Sequence, residues 1–378
     1  MLRPHFLAAA LLACTCALPA RAAVLPDDRA DVLYHRYEGG GVTIDGPSVL
    51  VRKKFAEKYS VSANYYVDMV SSASIDVVTT ASPYEEQRDQ ASLGFDMLNG
   101  KTQYSVSLTG SDENDYTAST ASFDISQDLF GDLTNVSLGF SRGWDEVRKR
   151  GDREFEEPVD RRSYRLGLTQ IVTPTLMMGL AYETITDEGF LNNPYRSVRY
   201  LDPDSPAGFA YQPEVYPRTR TSNAASLNAR YFLPYRAALS GEYRWFTDTW
   251  GIDANTVRLG YTHPVGPRWV LEGGYRWYDQ SAADFYSDLF PRRDFQNFLA
   301  RDKELSTFTS HMLSLGATYE LPSFGWRFLQ RSTVNLFYDR IRFEYDDFRD
   351  VRAGGTPGTE PLYGFDANVF RLFVSGWF

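Results

Sequence analysis

The C-terminal segment, residues 369–378, alternates with a period of two between apolar and mixed side chains. One face carries Phe370, Leu372, Val374, Gly376 and Phe378. This period is that of a β-strand, and about ten residues is the length with which a tilted strand crosses a membrane. The segment predicts the membrane-spanning strand that closes a β-barrel, and an edge strand of a soluble domain is the alternative.

The N-terminal segment has the three parts of a secretory signal peptide. Arg3 precedes an apolar run at residues 6–18, and Ala20-Arg21-Ala22 offers a small-residue cleavage site. We therefore expect a signal peptide at residues 1–22 and a single barrel domain at residues 23–378. No later stretch approaches the roughly 18 apolar residues that a spanning helix needs, so a membrane would be crossed by strands.

The composition combines many aromatic residues with modest hydrophobicity. The chain has 25 Tyr and 25 Phe, yet hydrophobic residues make up only 43%. A barrel explains this combination, because half of its strand residues face water and aromatic residues gather at both membrane interfaces. Both cysteines, Cys14 and Cys16, lie in the expected signal peptide; Leu11-Leu12-Ala13-Cys14 also resembles a lipoprotein cleavage box, which is the minor interpretation. The formal charge of −10 gives no basic surface for nucleic acid.

The two-residue alternation recurs from Asp31 to the end of the chain, and no segment of helical period interrupts it. Asn99-Gly100 and residues 173–175 are turn signals between alternating segments. We count sixteen strands and predict an all-β fold, a transmembrane antiparallel up-and-down β-barrel. Fourteen strands remain if the first pair, residues 31–55, forms a periplasmic arm. A soluble β-sandwich or propeller is a further alternative.

Seven short turns alternate with eight connections that are mostly longer. This pattern predicts that the termini and short turns are periplasmic and that the long loops lie outside. The predicted long connections are a charged one at 144–161 and three others at about 187–220, 280–304 and 345–368. The last three are candidates to enter the lumen or to bind a ligand outside, although solvated surface loops are the default.

Several segments resemble a proteobacterial family called domain of unknown function 3570. They are residues 61–83, 129–132, 142–147, 168–175 and 280–286. The resemblance extends over nearly the whole mature chain and implies an outer-membrane protein without an established activity. The closing strand also resembles that of Gram-negative outer-membrane barrels, which implies contact with outer-membrane lipid and recognition of Phe378 by the barrel-insertion machinery.

The face opposite the apolar one would line the lumen, and it carries charged residues on many strands. The candidates are Arg230, Glu242, Arg244, Arg258, Glu272, Arg276, Asp68 and Asp96. The lumen is therefore expected to be acidic near the first strands and basic near the tenth to thirteenth. Charge ladders of this kind set ion preference. The alternative is that Arg and Glu pair across strands and stiffen the wall.

Residues for catalysis are sparse. His35, His263 and His311 are the histidines after the expected signal, and His311 and its neighbour Ser310 would point to opposite faces of a strand. The aspartates at 202, 204, 346, 347 and 350 lack the spacing of a calcium loop. We therefore expect no enzyme, cofactor or metal, but an outer-membrane channel or transporter for a small polar or charged solute. The alternative is a structural barrel that anchors or houses a partner protein without conducting.

Overall fold

The computed structural model describes residues 24–72, 84–322 and 328–378. Its strands form one closed antiparallel β-barrel of sixteen strands. The first strand pairs with both the second and the last, so that His35 lies opposite Gly46 on one side and Arg371 on the other. This closure confirms the predicted count and places the first pair in the barrel wall rather than in a separate arm. The expected signal peptide and both cysteines lie outside the described residues.

The barrel strands range from 11 to 22 residues, longer than the predicted segments. They are β1 (Arg29–Gly39), β2 (Val42–Phe55), β3 (Tyr59–Ser72), β4 (Tyr84–Asn99), β5 (Thr102–Glu113), β6 (Tyr116–Leu129), β7 (Thr134–Lys149), β8 (Asp152–Thr173), β9 (Leu176–Gly189), β12 (Thr219–Phe232), β13 (Ala238–Asp248), β14 (Asp253–Val265), β15 (Trp269–Gln280), β16 (Phe308–Glu320), β17 (Arg331–Arg349) and β18 (Leu362–Trp377). Strands β10 (Ser197–Leu201) and β11 (Phe209–Pro213) form a separate hairpin.

Because the strands are longer than predicted, the connections between them differ from the predicted ones. The charged segment 144–161 is not a loop, since it forms the ends of β7 and β8, which turn at residues 150–151. Its charges misled the prediction, because alternating charged residues extend a strand beyond the membrane as readily as they form a loop. Three long connections remain on that side among the described residues: 190–218, 281–307 and 350–361. We call this side the loop end and the opposite side the turn end.

The outer face marks where a membrane would lie. Apolar side chains on this face are exposed, for example Leu93, Leu259 and Leu315, which are 57–67% accessible. Six outward tyrosines form a ring. Each is bonded at 2.5–2.8 Å to a polar residue of the next strand that lies two residues nearer the loop end than the residue directly opposite the tyrosine. The pairs are Tyr34–Asp45, Tyr65–Asp89, Tyr182–Asn223, Tyr243–Asn255, Tyr275–His311 and Tyr338–Asn368. Such a ring is typical of the boundary between hydrocarbon and headgroups.

Helix is almost absent from the residues that the structure describes. The described chain has short 3₁₀ turns at Lys303–Leu305 and Val351–Ala353. Across the described ranges, none of the helices is long and apolar enough to cross a membrane.

Candidate solute-binding lumen

The barrel encloses a cavity of about 1210 Å³. Inward side chains of most barrel strands line it, and residues 302–305 of the 281–307 loop contribute to its surface. Six of the eight residues predicted from the sequence lie on this cavity: Arg230, Glu242, Arg244, Arg258, Glu272 and Arg276. The strand alternation alone explains this placement, because residues of equal parity share one face of a strand.

Four of these residues form what we call the basic wall: Arg230, Arg244, Arg258 and Arg276, on the four adjacent strands β12 to β15. Arg258 lies directly opposite Arg276 in the strand register and opposite Glu242 on the other side. The pairing of Arg258 with Arg276 concentrates positive charge at one place on the wall. Such a cross-strand pair of like charges is unfavourable by itself.

The carboxylates only partly neutralise the basic wall. The Nη1 of Arg258 is 3.3 Å from the Oε1 of Glu242. Arg276 donates to the hydroxyl of Ser310 at 3.3 Å. Within the part of the chain that the structure describes, no carboxylate oxygen lies within 4 Å of Arg244, whose guanidinium stands 5.7 Å from the centre of the Phe246 ring. By residue count, four arginines against Glu242 and Glu272, the wall carries an excess of positive charge along the cavity.

The remaining two predicted residues, Asp68 and Asp96, point inward but are not part of the cavity lining. Asp96 accepts hydrogen bonds from Ser105 at 2.6 Å and Gln103 at 3.3 Å, and these two side chains do line the cavity. Further round the wall, Asp124 pairs with Arg165 at 2.9 Å. The predicted acidic side is thus partly engaged in hydrogen bonds and ion pairs, as the alternative of a stiffened wall anticipates.

Asp68 belongs to a buried polar cluster that the sequence did not reveal. Its side chain is 2% exposed and lies 2.8 Å from the Nε2 of His35, although β2 separates their strands. The intervening residue is Gly46, and a Cβ there would lie 1.9 Å from the carbonyl oxygen of Val67. The Tyr66 ring stacks on His35 with centroids 4.9 Å apart. Gly46, a glycine between two inward polar residues on the neighbouring strands, is the sequence feature that could have indicated this contact.

The three long loops pack together as a cap, defined here as residues 190–218, 281–307 and 350–361. Arg199, fully buried, bonds to Asp288 at 2.8 Å and to Glu360, so one side chain joins all three loops. Arg301 donates to Asp288 at 2.8 Å. Four strands lie between β12 and β17 in the barrel, so the contact between Arg199 and Glu360 is made across the loop end.

The cap carries a perturbed carboxyl. Burial by itself would raise the pKa of Glu360, but the hydrogen bonds from Arg199 and from the Gly358 N–H hold it below the ordinary 4.5. Glu360 is therefore ionised in the assembled cap and depends on Arg199 for that state.

Apolar clusters connect the cap to the barrel interior. Together we call them the apolar roof: Tyr37, Val42, Ile44, Val70, Ile341, Ala367 and Val369 on the barrel wall; Tyr216, Ala283, Phe285, Ala300 and Leu305 in the cap, with Trp250 and Ile252 of the turn between β13 and β14; and Tyr345, Phe348 and Tyr363 at the ends of β17 and β18. The period-two alternation did not predict an apolar interior, because it distinguishes the two faces of a strand but does not show which face is solvated. The cavity therefore has a charged wall and an apolar end.

Comparison with known proteins identifies the family. The model of a family described as a protein of unknown function, DUF3570, matches residues 75–331. The chain belongs to this family. The match is narrower than the resemblance over nearly the whole mature chain that the sequence suggested. No curated protein matches the sequence.

Solved structures share the fold. A bacterial polysaccharide outer membrane secretin has a TM-score of 0.50 at 8% identity, over 94% of this chain and 100% of that one. The CymD monoaromatic hydrocarbon channel has a TM-score of 0.45 at 10% identity, over 96% and 91%. A Pseudomonas aeruginosa FadL homologue has a TM-score of 0.45 at 12% identity, over 95% and 92%. The similarity to the first structure assigns the chain to the fold of outer-membrane barrels and, at this identity, concerns the fold alone.

Proposed function

We propose that this protein is an outer-membrane channel or transporter that takes up or passes a small charged solute, and that the basic wall makes it prefer anions. The observation that supports the proposal most directly is the cavity of about 1210 Å³ with four arginines and two glutamates on β12 to β15. A sixteen-strand barrel is too wide for side chains to fill, so its interior is available to solutes.

The test is ion selectivity of the refolded protein in a planar bilayer under a salt gradient. Arg244→Glu combined with Arg258→Glu changes the wall by four charge units. A unit charge at about 10 Å in water contributes about 0.4 kcal/mol, so four raise the energy of an anion by about 1.6 kcal/mol and lower that of a cation by the same amount. The anion-to-cation permeability ratio should then change by up to about 200-fold at low salt, and by less as salt screens the wall. Arg342→Glu is the control, because Arg342 is 66% exposed on the outer face.

An anion preference that moves toward cations in the double variant, and not in the control, supports the proposal. Unchanged selectivity in a conducting double variant contradicts the role of the basic wall.

A barrel that anchors or houses a partner protein without conducting is the second candidate. The cap favours it, since three loops are fixed together across the loop end by buried ion pairs. A folded barrel that never conducts but that co-purifies with one defined protein would support this candidate and contradict the first.

A further inference from the structure

We propose, building on the function proposed above, that the solute is an organic anion with an apolar body. Its acidic group is bound by Arg258 and Arg276, and its apolar body lies against Met312 and Ile341. These four residues follow one another across β14, β15, β16 and β17, since Arg258 pairs with Arg276, Arg276 with Met312, and Met312 with Ile341. All four line the cavity.

The acidic group is inferred from the two arginines. Side chains directly opposite each other on neighbouring strands have Cβ atoms about 4.5–5.5 Å apart, so both guanidinium groups reach one carboxylate. A carboxylate accepts several charge-assisted hydrogen bonds and removes the repulsion between two like charges. The contact of Arg258 with Glu242, at 3.3 Å, is longer than the 2.7–2.9 Å typical of such bonds, so a ligand carboxylate competes with it.

The apolar body is inferred from the change of chemistry at the next strand. Met312 follows Arg276 directly, and Ile341, 3% exposed, belongs to the apolar roof. Phe343 packs against the same cluster as Met312. Neighbouring strands are about 4.8 Å apart, so the apolar surface begins within about 5 Å of the Arg276 strand and extends for about 10 Å. A solute with only a charged group leaves the partly exposed side chain of Met312 in contact with water.

The test compares three probes that differ by one group each: 3-phenylpropionate, propionate without the ring, and 3-phenylpropanol without the charge. Binding to the refolded full barrel is measured by isothermal titration calorimetry, with a detergent-only titration subtracted. We expect propionate and 3-phenylpropanol each to bind at least about tenfold more weakly than 3-phenylpropionate, because each loses one of the two contacts.

Two variants separate the two contacts. Arg276→Gln should weaken 3-phenylpropionate about tenfold and leave 3-phenylpropanol unchanged, whereas Met312→Ser should weaken 3-phenylpropionate and leave propionate unchanged. Arg258→Gln repeats the first test if Arg276→Gln does not fold, and Arg342→Gln on the outer face is the control.

Equal affinity for 3-phenylpropionate and propionate, or undiminished binding by a folded Arg276→Gln barrel, would overturn the inference. A barrel that conducts anions but binds none of the probes retains the proposed function and loses this inference. A barrel that binds 3-phenylpropionate with the expected variant pattern but never conducts retains the binding site and loses the channel.

Discussion

The cap offers the sharpest test of how the loop end is held, because one side chain connects its three loops. Arg199 is 0% exposed, bonds to Asp288 and Glu360, and stands 5.3 Å from the centre of the Phe209 ring. We predict that Arg199→Met, which keeps much of the side-chain volume, loosens the cap and leaves the barrel intact.

The expected magnitude follows from the partners that remain. Removing one member of a buried ion pair costs about 3–5 kcal/mol, since the other member stays buried without its counter-charge. In Arg199→Met, Asp288 keeps the bond from Arg301 at 2.8 Å, and Glu360 keeps the Gly358 N–H at 2.8 Å. We therefore expect the lower end of that range, about 3 kcal/mol, which corresponds to roughly a 100-fold change in the opening equilibrium of the cap.

Hydrogen exchange followed by mass spectrometry measures this change directly. Amides in 190–218 and 281–307 should lose about 100-fold of their protection in Arg199→Met, while those of β3 to β7 should keep theirs. Arg352→Gln is the matched control, because the pair of Arg352 with Asp350 is partly exposed in the same cap and such pairs contribute about 0–1 kcal/mol. A loss of less than about threefold in Arg199→Met, or an equal loss in the control, would refute the assignment of Arg199 as the residue that holds the cap.

Two further predictions concern pH and the barrel wall. The lowered pKa of Glu360 stabilises the cap fully above its ordinary value of 4.5, and this contribution is lost as pH falls through the folded pKa, so cap protection should drop below about pH 4.5 and drop less in Glu360→Gln. Gly46→Ala should impair barrel assembly because its Cβ would lie 1.9 Å from the Val67 carbonyl oxygen, whereas Gly100→Ala, at a turn with φ of 61° and no atom within 4 Å, should cost only about 1–2 kcal/mol. The fraction of heat-resistant folded barrel on unboiled gels measures both glycine variants, and equal yields would contradict the clash.

The sequence predicted the barrel because its strongest signal is also the physical rule of the fold. A strand that separates lipid from lumen must alternate, and outward residues such as Leu259 and inward residues such as Arg258 follow that rule without reference to the rest of the chain. The same rule could not locate the strand ends. Beyond the membrane both faces are polar, so residues 144–161 carry charges on both faces although they are paired in β7 and β8.

The candidate site was predicted only where it depends on parity. Parity placed Arg230, Arg244, Arg258 and Arg276 on one wall, but it gave no information about which inward residues pair with one another. The contact of His35 with Asp68 crosses a whole strand through Gly46, and that of Arg199 with Glu360 joins residues 161 positions apart. Such contacts depend on register and loop packing, which a local pattern does not encode.

The apolar roof connects the cap to the solute that we propose. Roof residues such as Tyr37 and Ile341 lie inside a barrel too wide for its own side chains to fill, and they line the cavity together with the loop residue Leu305. Moving the cap away would expose this surface to water, at about 25 cal/mol for each Å². A purely ionic solute does nothing to offset that exposure, whereas an apolar body covers the same surface as it enters. The residues of the apolar roof, whose exposure to water is unfavourable, are therefore those that favour binding of an anion with an apolar body.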